Sequence, residues 1–94
     1  MTEERELRIA AIGDVHFESA HSGVLRDLFA DIHRSADVLA LCGDLTTHGT
    51  AEQMRGFANE IAGVQIPIVA VLGNHDYESD QDEECTRILC DAGV

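Results

Sequence analysis

The sequence predicts an α/β fold of three consecutive βα units that share one parallel sheet. Three observations predict it. Gly13-Asp14, Gly43-Asp44 and Gly73-Asn74 recur thirty residues apart, the length of a short βα unit. Each pair ends a continuous apolar run: "LRIAAI" (7–12), "DVLALC" (37–42) and "IPIVAVL" (66–72). Each is followed by a segment whose apolar residues return with a helical period of about 3.6.

Taken in order, the apolar runs lack the alternation of half-exposed strands and read as strands of a parallel sheet, apolar on both faces. Pro67 falls near the start of the third, where a missing donor is tolerated. In the first helix Val24, Leu25, Leu28, Phe29 and Ile32 are expected on one face, and in the second Met54, Phe57, Ala58 and Ile61. Thr50 with Gln53 reads as a capping box opening that second helix. In the third, Cys85, Ile88, Leu89 and Ala92 form the stripe, with Asp80 and Glu83 as an acidic version of the box. The acidic cluster 80–84 suits the positive end of that helix. Crossovers between parallel strands are expected to be right-handed. The three helices differ too much in sequence for a solenoid.

Ninety-four residues allow one domain at most, and 45% hydrophobic with 26% charged residues is a globular composition. A net charge of −12 excludes the basic surface that nonspecific nucleic-acid or anionic-membrane binding requires. There is no lysine, which removes the P-loop lysine and Schiff-base chemistry. "MTEERELR" carries no apolar signal core, no run approaches a membrane span, and Cys42, Cys85 and Cys90 form no CxxC pair. These features predict a cytoplasmic protein with reduced thiols. The cysteines read as packing residues.

Function is expected beyond the carboxyl ends of the strands, where parallel sheets gather their sites. All three Gly-Asx pairs fall there. Glycine lets the chain turn off the strand, and Asp14, Asp44 and Asn74 then present oxygens from rows about 4.8 Å apart. His16 lies two residues after Asp14, and His75 and Asp76 follow Asn74. Mixed oxygen and imidazole ligands suit Mn, Fe, Zn, Ni or Co better than an all-oxygen Mg or Ca site. Asp44, on the middle loop, is the natural carboxylate to bridge a pair of cations.

"GDVH", "GD" and "GNHD", each after a strand, resemble the calcineurin-like metallophosphoesterase superfamily, and "ALCGDLTTHG" strengthens the likeness. The family pattern is D-x-H, G-D, G-N-H-[DE], an isolated His and G-H-x-H. Residues 1–94 match the first three blocks, and no histidine follows His75. The resemblance therefore implies the N-terminal portion of such a domain, the first half of a four-layer α/β/β/α sandwich. It implies an enzyme binding two divalent transition-metal ions and hydrolysing phosphomono- or phosphodiesters through a metal-bridging water. By the same resemblance Asp14 and His16 would bind the first ion, Asp44 would bridge, and Asn74 would bind the second. His75 would donate a proton to the leaving group, with Asp76 orienting it. The alternative is a truncated, catalytically incompetent metal-binding fragment. The serine/threonine phosphatases write GDxVDRG and GNHE, so "GDLTTHG" and "GNHD" look closer to bacterial phosphodiesterases and phosphohydrolases.

Other residues carry weaker expectations. His48, in the second loop, is a candidate substrate contact or supporting residue; His21 and His33 read as surface residues. Phe17 and Tyr77 are expected to pack over the loops. A receiver-type signalling module would need a later lysine, and a nucleotide-binding Rossmann half would need GxGxxG; neither is present. Three helices are expected to cover one sheet face, so the sequence predicts an exposed apolar face, closed by a missing C-terminal half or by self-association.

Overall fold

A computed structural model describes residues 6–18 and 23–94. Strands β1 (Ile9–Ile12), β2 (Val38–Cys42) and β3 (Ile68–Val71) form one parallel sheet in the order β1-β2-β3. Ile9 pairs with Val38 and Leu39 with Ile68. Three helices, α1 (Val24–Phe29), α2 (Ala51–Ile61) and α3 (Asp82–Asp91), alternate with the strands; short 3-10 turns cover Ile32–Arg34 and Asn74–Tyr77. The expected α/β fold of three βα units is present, with each strand shorter than its apolar run. His21 lies outside the described residues.

The sheet has one covered face and one open face. Leu39, Leu41 and Ile68 point into the core, while Ile9, Val69 and Val71 on the opposite face are each more than half exposed. The cause is topological. When parallel strands are laid down in sequence order, crossovers of one hand place every helix on the same side. The apolar open face expected from the sequence is therefore present.

α2 is the central helix of the covering layer, packed on both α1 and α3. Its stripe of Met54, Phe57, Ala58 and Ile61 is buried as expected, each large side chain contributing about 1.5–3 kcal/mol. Thr50 Oγ1 accepts the Gln53 amide at 3.1 Å, but the Gln53 side chain accepts from the His48 amide instead of completing the box.

Several expected packing roles are corrected. α1 has only six residues and buries the i,i+4 pair Leu25 and Phe29; Val24 and Leu28 are both 61% exposed. A helix this short against one neighbour buries one row of side chains. Asp80 does not cap α3: it takes a left-handed φ of 56°, and Gln81 is the N-cap. Gln81 Oε1 instead accepts the Ala51 amide at 2.7 Å, joining the starts of α3 and α2. Cys42 follows Leu41 in the strand alternation and so lies on the open face, exposed; Cys90 is exposed as well. Cys85 is buried, and burial pushes its thiol up, as packing requires. Ala92, expected in the α3 stripe, is exposed, and Tyr77 is half exposed instead of packed. Among the described residues, no helix is long and apolar enough to cross a membrane.

Candidate metal centre

The loops leaving the three strands are tied to one another before any ligand is considered. His16 and Phe17 donate their amides to Asp44 and Leu45 carbonyls at 2.9 Å, and Thr47 returns a bond to Phe17 O at 3.1 Å. The first two loops thus continue the parallel pairing beyond the strands, with a bridge between Phe17 and Thr46. Phe17, 2% exposed, anchors that extension in the core, its ring edge-on to Phe57.

Asp76 ties the second loop to the third. It is fully buried, and its carboxylate accepts four hydrogen bonds. They come from Thr46 N at 2.9 Å, Thr46 Oγ1 at 2.8 Å, Leu45 N at 3.1 Å and Gly73 N at 2.9 Å. The buried charge is stabilised by donors instead of a cation. Its expected task of orienting His75 is not carried by contact. The His75 ring is held by the Thr47 carbonyl, 2.9 Å from Nδ1.

These ties bring His16, Asp44 and His75 together. One ligand-capable atom from each lies within 4.8 Å of the others, and all three residues are partly buried. The His16 and His75 rings meet edge to face at 4.7 Å between centroids. Asp44 Oδ1 accepts the His75 amide at 2.9 Å. No basic side chain lies within ion-pairing distance of Asp44 among the described residues.

The backbone here is strained. Four described non-glycine residues have positive φ, and three of them are Asp14 (53°), His16 (50°) and Asp44 (49°). Each such conformation costs on the order of 1 kcal/mol or more, and Asp and His tolerate it better than most residues. The turning role expected of the glycines falls to Gly43, at φ 88°, and largely to these three residues. Gly73 is needed for another reason: its backbone is extended, and a methyl there would collide with the Asp44 backbone and carboxylate. Gly13 has room for a side chain.

The remaining candidates stand around the trio. Asp14 is outside it, its carboxylate 85% exposed and 3.9 Å from His16 Nε2. Asn74 opens the 3-10 turn and is exposed. His48 is exposed at the rim, with its ring 3.1 Å from Glu78. Sequence reasoning missed Thr47, whose main-chain carbonyl holds His75, and Glu78, three residues after His75. A backbone acceptor leaves no trace in a sequence; the i,i+3 relation of His75 and Glu78 would become informative once the turn between them was known to be helical.

The donor set fits divalent transition metals. Two imidazoles and a carboxylate converge, and among the described residues no basic side chain pairs with the carboxylate. The sequence matches the model of the calcineurin-like phosphoesterase family over residues 7–91. No curated protein matches the chain significantly.

Proposed function

From the premise that the chain belongs to the calcineurin-like phosphoesterase family, whose members bind divalent metals, we propose a dinuclear phosphoesterase centre at these loops. The observation that carries this reading is the convergence of His16, Asp44 and His75 beyond the strand ends, the first two on left-handed backbone. Asp14 and His16 would share one ion, Asp44 would bridge, and Asn74 would offer its amide oxygen to the second. Such ions stabilise charge on phosphoryl oxygens and make water a nucleophile near neutral pH.

The protein's own groups supply orientation and a proton. The His75 amide fixes one oxygen of Asp44. A carbonyl can only accept, so the Thr47 contact assigns the hydrogen of neutral His75 to Nδ1 and leaves Nε2 as the working nitrogen. In the imidazolium form, which carries hydrogen on both nitrogens, Nε2 can pass a proton to a departing alkoxide, a step worth roughly 10²–10⁴-fold in rate. The substrate is a phosphate ester. The "GDLTTHG" and "GNHD" strings support a place near bacterial phosphodiesterases and phosphohydrolases.

A second reading, metal binding without turnover, is favoured by one observation: His16, Asp44 and His75 converge, while Asp14 and Asn74 stand exposed outside the trio. Titration with Mn²⁺, paired with hydrolysis of p-nitrophenyl phosphate and its bis ester, separates the two. Uptake of Mn²⁺ weakened at least about 100-fold by Asp44→Asn supports the centre, outer-sphere losses alone being about 10–100-fold. Mn²⁺-dependent hydrolysis then selects the enzyme, and its absence selects metal binding without turnover. Mn²⁺ uptake unchanged in Asp44→Asn would sink both.

A further inference from the structure

Glu78 belongs to none of the ligand blocks, yet it stands between two histidines. The 3-10 turn Asn74–Tyr77 ends at Glu78, which donates its amide back to His75 O at 3.2 Å. A turn with three residues per revolution stacks side chains i and i+3, so Glu78 comes to lie alongside His75. Its Oε2 is 3.5 Å from His75 Nδ1, and its Oε1 is 3.1 Å from His48 Nδ1. One carboxylate therefore reaches imidazoles from two different loops.

His48 is exposed, but it is not loose. Its amide donates to Gln53 Oε1 at 2.8 Å, its carbonyl accepts from Ser79 Oγ at 2.7 Å, and its ring meets Glu78. An exposed ion pair by itself adds little stability, because water competes and two side chains lose rotamer freedom. Fixing the main chain of an exposed histidine at two points and its ring at a third has a natural use in holding the ring for a ligand.

On the reading of the site given above, we propose that Glu78 is a positioning residue linking His48 and His75 into one chain, by a hydrogen bond to the His48 ring and a 3.5 Å contact with the His75 ring. A carboxylate oxygen accepts, so Glu78 holds the His48 ring with hydrogen on Nδ1, while the His75 Nδ1 hydrogen goes to the Thr47 carbonyl with Glu78 beside it. Each Nε2 is then left uncommitted, and in the imidazolium form it can donate to a phosphate ester or its leaving group. His48 enters the site through this chain, as a second imidazole beside the one that meets the trio. The Thr47 carbonyl shares His75 with Glu78, so His48 depends on Glu78 more than His75 does.

The test reads imidazole nitrogens by ¹⁵N NMR of the metal-free protein at fixed pH, with His33 as the remote control. In Glu78→Ala the Nδ1–H preference of His48 should fall by about two- to fivefold, the range an exposed pair supports, with a smaller change at His75. His48→Gln should move the His75 signals when Glu78 is present and leave them in place in the Glu78→Ala background. Glu78→Gln, which keeps the shape and one acceptor oxygen, serves if the alanine variant disturbs the amide spectrum. An unchanged His48 tautomer, or a His75 response to His48→Gln that ignores Glu78, overturns the proposal. Mn²⁺ titration of the same wild-type sample isolates the underlying reading: absent uptake refutes the metal centre, while the ring signals still decide whether Glu78 couples the histidines.

Discussion

At the amino ends of β1 and β2, Asp37 faces Arg8: the guanidinium Nη2 lies 3.2 Å from Oδ1, and the Arg8 amide donates to Oδ2 at 2.9 Å. At the carboxyl ends of the same strands, Asp44 has no arginine partner among the described residues and sits among two imidazoles on left-handed backbone. One end neutralises its carboxylate locally, with donors that the strand start already provides. The other end gathers potential ligands and holds them in costly conformations. Metal affinity requires this second arrangement, because a carboxylate already paired with arginine offers a cation little. The comparison teaches that one end of this small sheet satisfies its carboxylate locally while the other keeps one without an arginine among candidate ligands, with Asp76 supporting that strained end from beneath.

The most damaging way to break this division is to remove that support. Asp76→Ala would leave three amides and the Thr46 hydroxyl without their buried acceptor. At about 1–3 kcal/mol per unsatisfied buried group, partly recovered by relaxation, the expected loss is roughly 3–5 kcal/mol. That is a large share of the roughly 5–15 kcal/mol a domain possesses. Urea denaturation measures it. A loss under about 1 kcal/mol would mean the loops support themselves without Asp76, contrary to the burial argument.

A gentler change sharpens the contrast by moving stability and binding in opposite directions. Asp14 has a φ of 53° and an 85% exposed carboxylate, so its side chain contributes little packing. Glycine accepts that backbone freely, and Asp14→Gly should stabilise the fold by about 0.5–1 kcal/mol while weakening Mn²⁺ binding. Thermal denaturation of the metal-free protein and a Mn²⁺ titration give the two readings. A variant that loses stability without metal would show that the left-handed turn is favoured by aspartate itself and stores no strain.

Much of this was legible in the sequence, for identifiable reasons. The thirty-residue period marked the strand exits, because a βα unit has a nearly fixed length. It put His16, Asp44 and His75 at neighbouring exits, and the structure brings them within 4.8 Å. The α2 stripe was legible because eleven residues suffice for a period to repeat. What escaped depends on contacts between loops. Val24 and Leu28 share an apolar pattern with Leu25 and Phe29, but a six-residue helix cannot bury them all. Asp76 reads as a partner of its neighbour His75, whereas its donors come from residues 45, 46 and 73. Glu78 matters only once the turn after His75 is known.

The smallest expected effect lies at the quiet end of the sheet, and its sign follows from the pairing. Hydrogen bonds from the Arg8 side chain, then from its amide, lower the Asp37 pKa below the ordinary 3.8. A carboxyl whose folded pKa is depressed adds stability that is fully present above its unfolded pKa. That contribution fades as pH falls through the folded value, where both states carry the proton. Wild type should therefore exceed Asp37→Asn in urea midpoint at neutral pH by a small margin, since the pair is exposed and screened. The margin should shrink below pH 3.8 and be reduced by added salt. Mn²⁺ binding at the far end should stay as it was. A loss of Mn²⁺ affinity in Asp37→Asn would show that the two ends are mechanically coupled through β1 and β2, and the division of labour between them would have to be abandoned.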